Sequence, residues 1–261
     1  MKRRCRAALI LLLVSGGALA VTEEIIKLPS KDEAVQPYLL SIESGREYQT
    51  AAVLFTGGVG DVGLLRRGIP HPGGNFLVRS RLMFLDMGIA TAVIDAPSDT
   101  GWMSDGYRMS KRHFKDVAAV VLDLKRRLPN VRVFLIGTSR GTVSAGYAGA
   151  ALAKELAGVV LTSSVFNASG GGSGLSGFDY AEVGAPLLFV HHFTDGCFVT
   201  PYRTALQLSQ SFPLITVKGG SEPKSGPCDP FSPHGYFGKE EATVKAISNW
   251  MLGRPYDAVV E

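Results

Sequence analysis

A serine flanked by glycines lies where an apolar run meets a helical pattern. It is Ser139, within the pentapeptide GTSRG at residues 137–141. The spacing G-x-S-x-G between a strand and a helix is typical of a sharp turn that lifts a serine hydroxyl above a sheet as a nucleophile. An ordinary glycine-rich turn is the alternative. The motif therefore predicts attack by a hydroxyl on an electrophilic carbon.

A serine hydroxyl needs a base to take its proton and an acid to orient that base. After a serine of this kind the expected chain order is serine, acid, histidine. Asp195 follows the apolar run PLLFVHH, and His234 lies in SPHGYFG ahead of the last helical pattern. Both positions follow predicted strands, so we expect Asp195 and His234 to lie beside Ser139 as catalytic acid and base.

Other histidines and acids are weaker candidates for these two roles. Asp179 remains an alternative acid, from the loop after the preceding predicted strand. The others lack a partner motif, precede the acid in the chain or belong to a loop, and are interpreted as packing, surface or loop residues: His71, His113, His191, His192 and Asp229.

A second glycine-rich segment, TGGVGDVG at residues 56–63, follows the first apolar run. Attack on a carbonyl creates an oxyanion that backbone N–H groups stabilise. We expect these donors to be the amides of Arg140 and of Gly57 or Gly58. The segment also matches a dinucleotide fingerprint, but glycine and prolines in residues 64–72 interrupt the helix that this fingerprint requires. We therefore expect no nucleotide, and no motif predicts a metal or another cofactor.

The long loop DAPSDTGWMSDGYRMS, residues 95–110, would border the same crevice. Its apolar side chains are candidates for a wall that binds the acyl or alcohol part of a substrate: Trp102, Met103 and Tyr107. The alternative is that these side chains only anchor a long loop.

The first twenty residues have the pattern of an export signal, with a cationic start, an apolar run and small residues before Ala20. An uncleaved anchor is the alternative. The chain has 27 Lys and Arg against 23 Asp and Glu, and removing the four cations of this segment leaves 23 of each. A balanced domain lacks the basic surface of a nucleic-acid-binding protein. We predict a signal at 1–20, one domain at 21–261, and a periplasmic or secreted protein without stable membrane insertion.

The three cysteines divide between these two parts of the chain. Cys5 lies in the predicted signal, which leaves Cys197 and Cys228 as an even pair in an oxidising compartment. Such a pair predicts a disulfide. Cys197 follows Asp195 by two residues and Cys228 precedes His234 by six, so the bridge would tie the acid loop to the base loop.

Short apolar runs alternate with helical patterns from residue 51 onward. Continuously apolar runs are typical of strands in a parallel sheet covered by helices on both faces. Upstream, EEIIKL and YLLSIES are predicted as edge strands that could pair antiparallel. The pattern predicts a doubly wound α/β sheet with its ligand crevice at the carboxyl ends of the strands. The predicted parallel strands are 51–55, 90–96, 131–137, 158–164, 186–192 and 213–219.

Helix start and stop signals predict four main helices between these strands. Arg79 and Arg81, in the first of them, could bind a carboxylate, although an exposed helix face is the favoured interpretation. The predicted helices run from Asn75 to Gly88, from Ser110 to before Pro129, from Ser139 to Gly158 and from Lys239 to Leu252.

With these motifs the chain resembles the α/β-hydrolase superfamily over nearly all of residues 21–261. The resemblance rests on GTSRG, on the acid segment HHFTDGC and on the histidine segment SPHGYFG. The compact layout is similar to small exported serine hydrolases of the dienelactone-hydrolase type. The resemblance implies a mostly parallel, eight-stranded sheet with helices on both faces, and acyl transfer through a covalent ester on Ser139. It does not name a substrate.

One departure from that superfamily concerns the cap. Many relatives insert a helical cap after the sixth strand, whereas this chain has only the Gly- and Ser-rich residues 165–185, of which 167–177 are interpreted as a flexible connection. We therefore expect no large cap and an open site for small or exposed esters. The expected protein is a monomeric carboxylesterase. A serine peptidase or amide hydrolase of the same fold, or a non-catalytic envelope binding protein, are the alternatives.

Overall fold

A computed structural model of the protein describes residues 20–70 and 74–261. The predicted export signal, apart from Ala20, and His71 lie outside the described residues. The described strands form one sheet in the order β1-β2-β4-β3-β5-β6-β7-β8-β9. The strands are β1 (Val21–Pro29), β2 (Val35–Glu43), β3 (Thr50–Phe55), β4 (Ala90–Ile94), β5 (Arg132–Thr138), β6 (Gly158–Thr162), β7 (Leu187–His192), β8 (Leu214–Val217) and β9 (Val259–Val260).

The sheet is parallel except at one edge. All neighbours from β4 to β9 pair in parallel, whereas β1 pairs with β2, and β2 with β4, in antiparallel fashion. The six predicted parallel strands and the antiparallel pairing upstream are confirmed, but only β1 is an edge strand, because β2 pairs with both β1 and β4. The sheet has nine strands rather than the eight that the resemblance implied, because Val259 and Val260 add a two-residue strand beside β8.

Eight α-helices lie in the described residues. The predicted helix from Asn75 to Gly88 is divided in two at Ser80, whose φ of −95° and ψ of 0° interrupt the helical backbone. Asn75 caps the first piece as predicted, because its side chain accepts a hydrogen bond from the Leu77 amide. The helices are α1 (Leu64–Arg67), α2 (Phe76–Arg79), α3 (Arg81–Asp86), α4 (Asp105–Arg108), α5 (Lys111–Arg127), α6 (Gly141–Ala151), α7 (Tyr202–Leu208) and α8 (Glu240–Met251).

Helices cover both faces of the sheet, and this explains the continuously apolar strands. Along β3, Val53 packs in a core with α5 and α6, whereas its neighbours Ala52 and Leu54 pack in a second core with α2, α3 and α8. Successive side chains of a strand point to opposite faces, so each residue of β3 needs an apolar partner on its own side.

Arg81 of the divided helix is buried and Arg79 is partly buried, which corrects the favoured interpretation of an exposed face. Arg79 pairs with Glu240 at 3.0 Å and so joins α2 to α8. Arg81 pairs with Glu23 at 2.7 Å and joins α3 to β1. The negative charge that each guanidinium needs therefore comes from the protein itself.

The connection between β6 and β7 carries only a short 3₁₀ turn, Tyr180–Val183, and no helical cap. Its Gly- and Ser-rich part is anchored, contrary to the expected flexible connection. The Gly174 amide donates to Asp105 Oδ2 at 2.8 Å, and Arg140 Nη2 donates to Ser169 Oγ at 3.1 Å. Among the described helices none is both long and apolar enough to span a bilayer.

Candidate active site

Ser139 occupies a sharp turn between β5 and α6. Its φ of +52° lies in the left-handed region, which is strained for a serine. The flanking glycines make the turn possible, because a Cβ on Gly137 would lie 2.4 Å from the Gly141 carbonyl oxygen. A Cβ on Gly141 would lie 2.1 Å from the carbonyl oxygen of Phe55. The motif glycines are thus required by close backbone approach.

The structure brings His234 and Asp195 together from two loops. His234 Nδ1 lies 3.0 Å from Asp195 Oδ2, and the side chains are 5% and 0% exposed. With Nδ1 bound to the carboxylate, Nε2 keeps its lone pair and has no hydrogen-bond partner among the described residues. Asp195 is therefore placed to orient the imidazole of His234.

Three donors hold the carboxylate of Asp195. Besides His234, the Cys197 amide donates to Oδ1 at 2.9 Å, and the Thr200 hydroxyl donates to Oδ2 at 2.8 Å. Thr200 is fully buried. Sequence reasoning missed it, because a threonine five residues after an acid carries no signal of its own.

A second buried network fixes the backbone of His234. The Ser163 hydroxyl donates to the His234 carbonyl oxygen at 2.7 Å and lies 3.0 Å from the Tyr236 hydroxyl. The Tyr236 hydroxyl in turn donates to the Val190 carbonyl oxygen at 2.7 Å. Ser163, like Ser139, has a positive φ, of +44°. This network was also not predicted, since it joins the ends of β6 and β7 to a loop far along the chain.

Ser139 and His234 line one cleft, together with Gly57 and Gly58. The cleft has a volume of about 280 Å³. No hydrogen bond joins Ser139 to His234 in the structure. Hydrogen bonds between a nucleophile and its base are often long or poorly aligned in the absence of substrate.

The loop of residues 57–60 lies directly against the serine. A Cβ on Gly57 would lie 2.9 Å from Ser139 Cβ. The amides of Gly57, Gly58 and Arg140 bind no acceptor within the described part of the chain. Further along, the buried carboxylate of Asp95 accepts the Leu64 amide at 2.7 Å and holds the end of this loop, and burial raises the pKa of Asp95. Free amides therefore border the cleft on the side of Ser139.

The predicted apolar wall does not reach this cleft. Met103 is buried, Trp102 is 54% exposed, and Tyr107 donates its hydroxyl to Asp116 Oδ2 at 3.3 Å. None of the three lines the cleft, because the chain from 102 to 108 turns its side chains into the protein or away from it. The apolar lining comes instead from Val59, Phe76 and Pro230.

Of the other candidate acids and bases, Asp179, His191 and His192 have hydrogen-bond partners within the fold, and His113 is buried without one. Asp179 caps a 3₁₀ turn by accepting the Ala181 amide at 2.9 Å. Burial lowers the pKa of His191 to about 3, and its Nε2 accepts the Ser164 amide at 3.0 Å, so the ring is neutral. His192 Nε2 lies 2.9 Å from the Gly219 carbonyl oxygen. Burial likewise lowers the pKa of His113 to about 3, and neither of its ring nitrogens has a hydrogen-bond partner among the described residues.

The predicted disulfide is present between Cys197 and Cys228. Cys197 is buried beside Asp195, whereas Cys228 lines the cleft next to Asp229. The Asp229 carboxylate accepts the Gly226 amide at 3.1 Å. Among residues 20–70 and 74–261, no three His, Cys, Asp or Glu side chains gather as ligands for a metal ion.

No protein-family model and no curated protein matches the sequence. Several solved structures are nevertheless similar in fold. Dienelactone hydrolase from Anabaena variabilis has a TM-score of 0.59 and 16% identity, covering 90% of this chain and 98% of that one. An α/β serine hydrolase without lid from Xanthomonas campestris has a TM-score of 0.56 and 15% identity, covering 88% and 94%. A cold-adapted esterase from an Arctic intertidal metagenomic library has a TM-score of 0.55 and 17% identity, covering 78% and 87%.

Proposed function

From the α/β-hydrolase fold of the chain, we propose that the protein is an exported serine hydrolase that acts as a carboxylesterase. One observation carries the proposal. His234 is hydrogen-bonded through Nδ1 to Asp195, and its imidazole shares a cleft with Ser139 at the turn after β5. This supports a triad in which His234 activates the Ser139 hydroxyl as a nucleophile.

The first half-reaction forms an acyl-enzyme. Ser139 Oγ attacks the ester carbonyl carbon while His234 Nε2 takes the hydroxyl proton, and Asp195 stabilises the resulting imidazolium. The amides of Arg140 and of Gly57 or Gly58 donate to the oxyanion, each contributing about 3 kcal/mol in comparable sites. The carbon–oxygen bond to the alcohol then breaks, and His234 returns the proton to the departing oxygen.

The second half-reaction releases the acid. A water molecule attacks the acyl carbon and gives one proton to His234 Nε2. The bond to Ser139 Oγ then breaks, and the same proton restores the serine hydroxyl. Each step uses one base and one proton, so the cycle returns the enzyme to its starting state.

The proposed substrates are small or surface-exposed esters. The cleft is open, with no helical cap over it in the described residues, and its volume of about 280 Å³ suits a short acyl or alcohol group. The similar structures include a protein called an esterase and another called a serine hydrolase without lid. The disulfide and the signal pattern support export to the periplasm or beyond.

A fluorophosphonate probe and a graded series of p-nitrophenyl esters test the proposal. We expect the probe to label Ser139, and Ser139→Ala to lose labelling and at least about 10³-fold of kcat. Ser173→Ala, which changes an exposed serine on the anchored loop, is the matched control and should keep both. Matched amides should be cleaved much more slowly than the esters. Unchanged ester hydrolysis by Ser139→Ala would refute the assignment.

A further inference from the structure

Arg108, at the end of α4, is a fully buried cation that the proposed reaction does not use. Its exposed fraction is 0%, and no carboxylate oxygen of the described residues lies within 4.0 Å of it. Its guanidinium donates instead to three neutral acceptors: the Met103 carbonyl oxygen at 3.1 Å, Ser144 Oγ at 2.9 Å and the Gly58 carbonyl oxygen at 3.3 Å.

This arrangement is costly for folding. A buried charge without a counter-ion destabilises a protein unless hydrogen bonds compensate it. Burial lowers the pKa of Arg108 to about 10, so the side chain still carries its proton at neutral pH. The nearest charges, Asp105 and Arg140, pair with each other at 2.8 Å. One net positive charge therefore stays inside the protein, which is unusual unless it serves the site.

The loop that borders the serine packs directly on this guanidinium. A Cβ on Gly60 would lie 2.5 Å from Arg108 Nη2 and 2.4 Å from the terminal methyl of Met103. The Met103 amide donates to the Val59 carbonyl oxygen at 2.9 Å, and Arg108 binds the Met103 carbonyl oxygen. The carbonyl groups of Gly58 and Val59 are thus drawn inward, toward α4. Because each peptide unit places its N–H opposite its carbonyl, the Gly58 carbonyl directs the Val59 amide away from α4, whereas the Gly60 amide donates to the Gly57 carbonyl oxygen at 3.2 Å within the loop. Val59 lines the cleft, and its amide binds no acceptor among the described residues.

We propose that Arg108 is a positioning residue of the oxyanion hole, which holds the loop of residues 57–60 with the Val59 amide toward the cleft as a further donor and stabilises negative charge there. The inference rests on the proposed hydrolase function. A carbonyl that accepts from a cation also makes the N–H of the same peptide a stronger donor, and the peptide of the Gly58 carbonyl carries the Val59 amide. Arg108 would therefore act on the transition state and contribute little to binding of the uncharged ester.

A pair of ketone inhibitors separates this role from a structural one. A trifluoromethyl ketone adds to Ser139 Oγ: the carbon–oxygen bond forms, the serine proton moves to His234, and the ketone oxygen becomes an oxyanion. The matching methyl ketone binds without stable addition. We would measure the inhibition constant Ki of each ketone for the wild type and for three variants: Arg108→Met, Arg108→Lys and Arg81→Met. The same proteins give kcat and KM for a p-nitrophenyl ester. Arg81 is the matched control, because it is a buried arginine that pairs with Glu23 of β1.

In Arg108→Met we expect kcat to fall about 100-fold and the Ki of the trifluoromethyl ketone to rise by a similar factor, with KM and the methyl ketone Ki within about threefold. Arg108→Lys should recover at least about tenfold, because it keeps the charge. Arg81→Met should lower the melting temperature and leave both Ki values of the folded protein unchanged. A folded Arg108→Met with an unchanged trifluoromethyl ketone Ki would overturn the proposal.

If Arg108→Met does not fold, Ser144→Ala decides the matter, since it removes one acceptor of Arg108 and leaves the guanidinium in place. We expect the trifluoromethyl ketone Ki to rise about threefold to tenfold at an unchanged methyl ketone Ki. No change would overturn the proposal. Failure of the proposed function itself looks different: the wild type would then neither cleave the ester nor bind the trifluoromethyl ketone more tightly than the methyl ketone.

Discussion

At the scale of single residues, the carboxylate of Asp195 depends on donors that lie close to it in sequence but were not evident from sequence. Cys197 donates through its backbone, a contact that any residue could make. Thr200 donates through its side chain, so its identity matters. A carboxylate with fewer donors is less firmly held and less able to orient the imidazole.

Thr200→Val tests this contribution. Valine has the shape of threonine but no hydroxyl, so Asp195 Oδ2 would keep only the donor from His234. We expect kcat for a p-nitrophenyl ester to fall about tenfold while KM stays within about threefold, since geometry and not substrate binding is affected. Thr204→Val on α7 is the control, because the Thr204 hydroxyl has no partner among the described residues. Equal kcat in Thr200→Val and wild type would contradict the role.

The residues predicted from sequence are those whose neighbours in the chain define them. Ser139 is recognisable because the glycines at 137 and 141 and the strand before them are local features. Ser163 and Arg108 contact residues that lie 71 and 50 positions away in the chain. Their importance arises only when strands that are distant in sequence become neighbours in the sheet.

At the scale of elements, strands were predicted better than helices. A parallel strand covered on both faces must be apolar throughout, and that pattern is visible in a short window. The break at Ser80 was not visible in the sequence, because Arg79 and Arg81 looked like the polar face of one continuous helix. In the structure each arginine instead pairs with a carboxylate of another element, Arg79 with α8 and Arg81 with β1. β9 was missed because two residues are too few to form a pattern.

The disulfide is the element that joins the acid loop to the base loop. It closes a loop with a sequence separation of 31 residues, for which chain entropy gives about 3 to 4 kcal/mol of stabilisation. Because Cys197 also donates to Asp195, the bond should affect the site as well as the stability.

We therefore expect the double variant Cys197→Ser, Cys228→Ser to lose about 3 kcal/mol of unfolding free energy and several-fold of kcat in its folded fraction. Urea denaturation gives the first quantity. Ester turnover per fluorophosphonate-labelled site gives the second. Lost stability with unchanged turnover per site would mean that the disulfide stabilises the fold and has no effect on catalysis.

At the scale of the whole molecule, two buried histidines make stability depend on pH. Burial lowers the pKa of His113 and of His191 to about 3, whereas an unfolded histidine titrates near 6.5. Protons therefore bind the unfolded chain more readily than the folded one. The stability is complete above about pH 6.5 and is lost progressively as the pH falls from there toward about 3.

His113→Phe isolates one of these contributions, because the ring lies against the aromatic rings of Phe55 and Tyr107. Each buried histidine should cost about 2 kcal/mol of unfolding free energy between pH 8 and pH 5. The variant should lose about 2 kcal/mol less than wild type over that range in urea denaturation, whatever its absolute stability, because contributions from other groups cancel in the difference. An equal loss in both proteins would show that His113 accepts a proton in the folded state.

Ser139 and Ser163 both adopt backbone angles that glycine would adopt without strain. A left-handed serine costs about 1 to 2 kcal/mol, which glycine would relieve. At position 163 glycine would also remove the buried hydrogen bond to the His234 carbonyl oxygen, so only Ser139 is free of such a compensating contact. Under the proposed function, natural selection maintains Ser139 against this gain. In a lineage where turnover no longer matters, drift should replace Ser139 with glycine early, and the protein would become more stable as it lost activity.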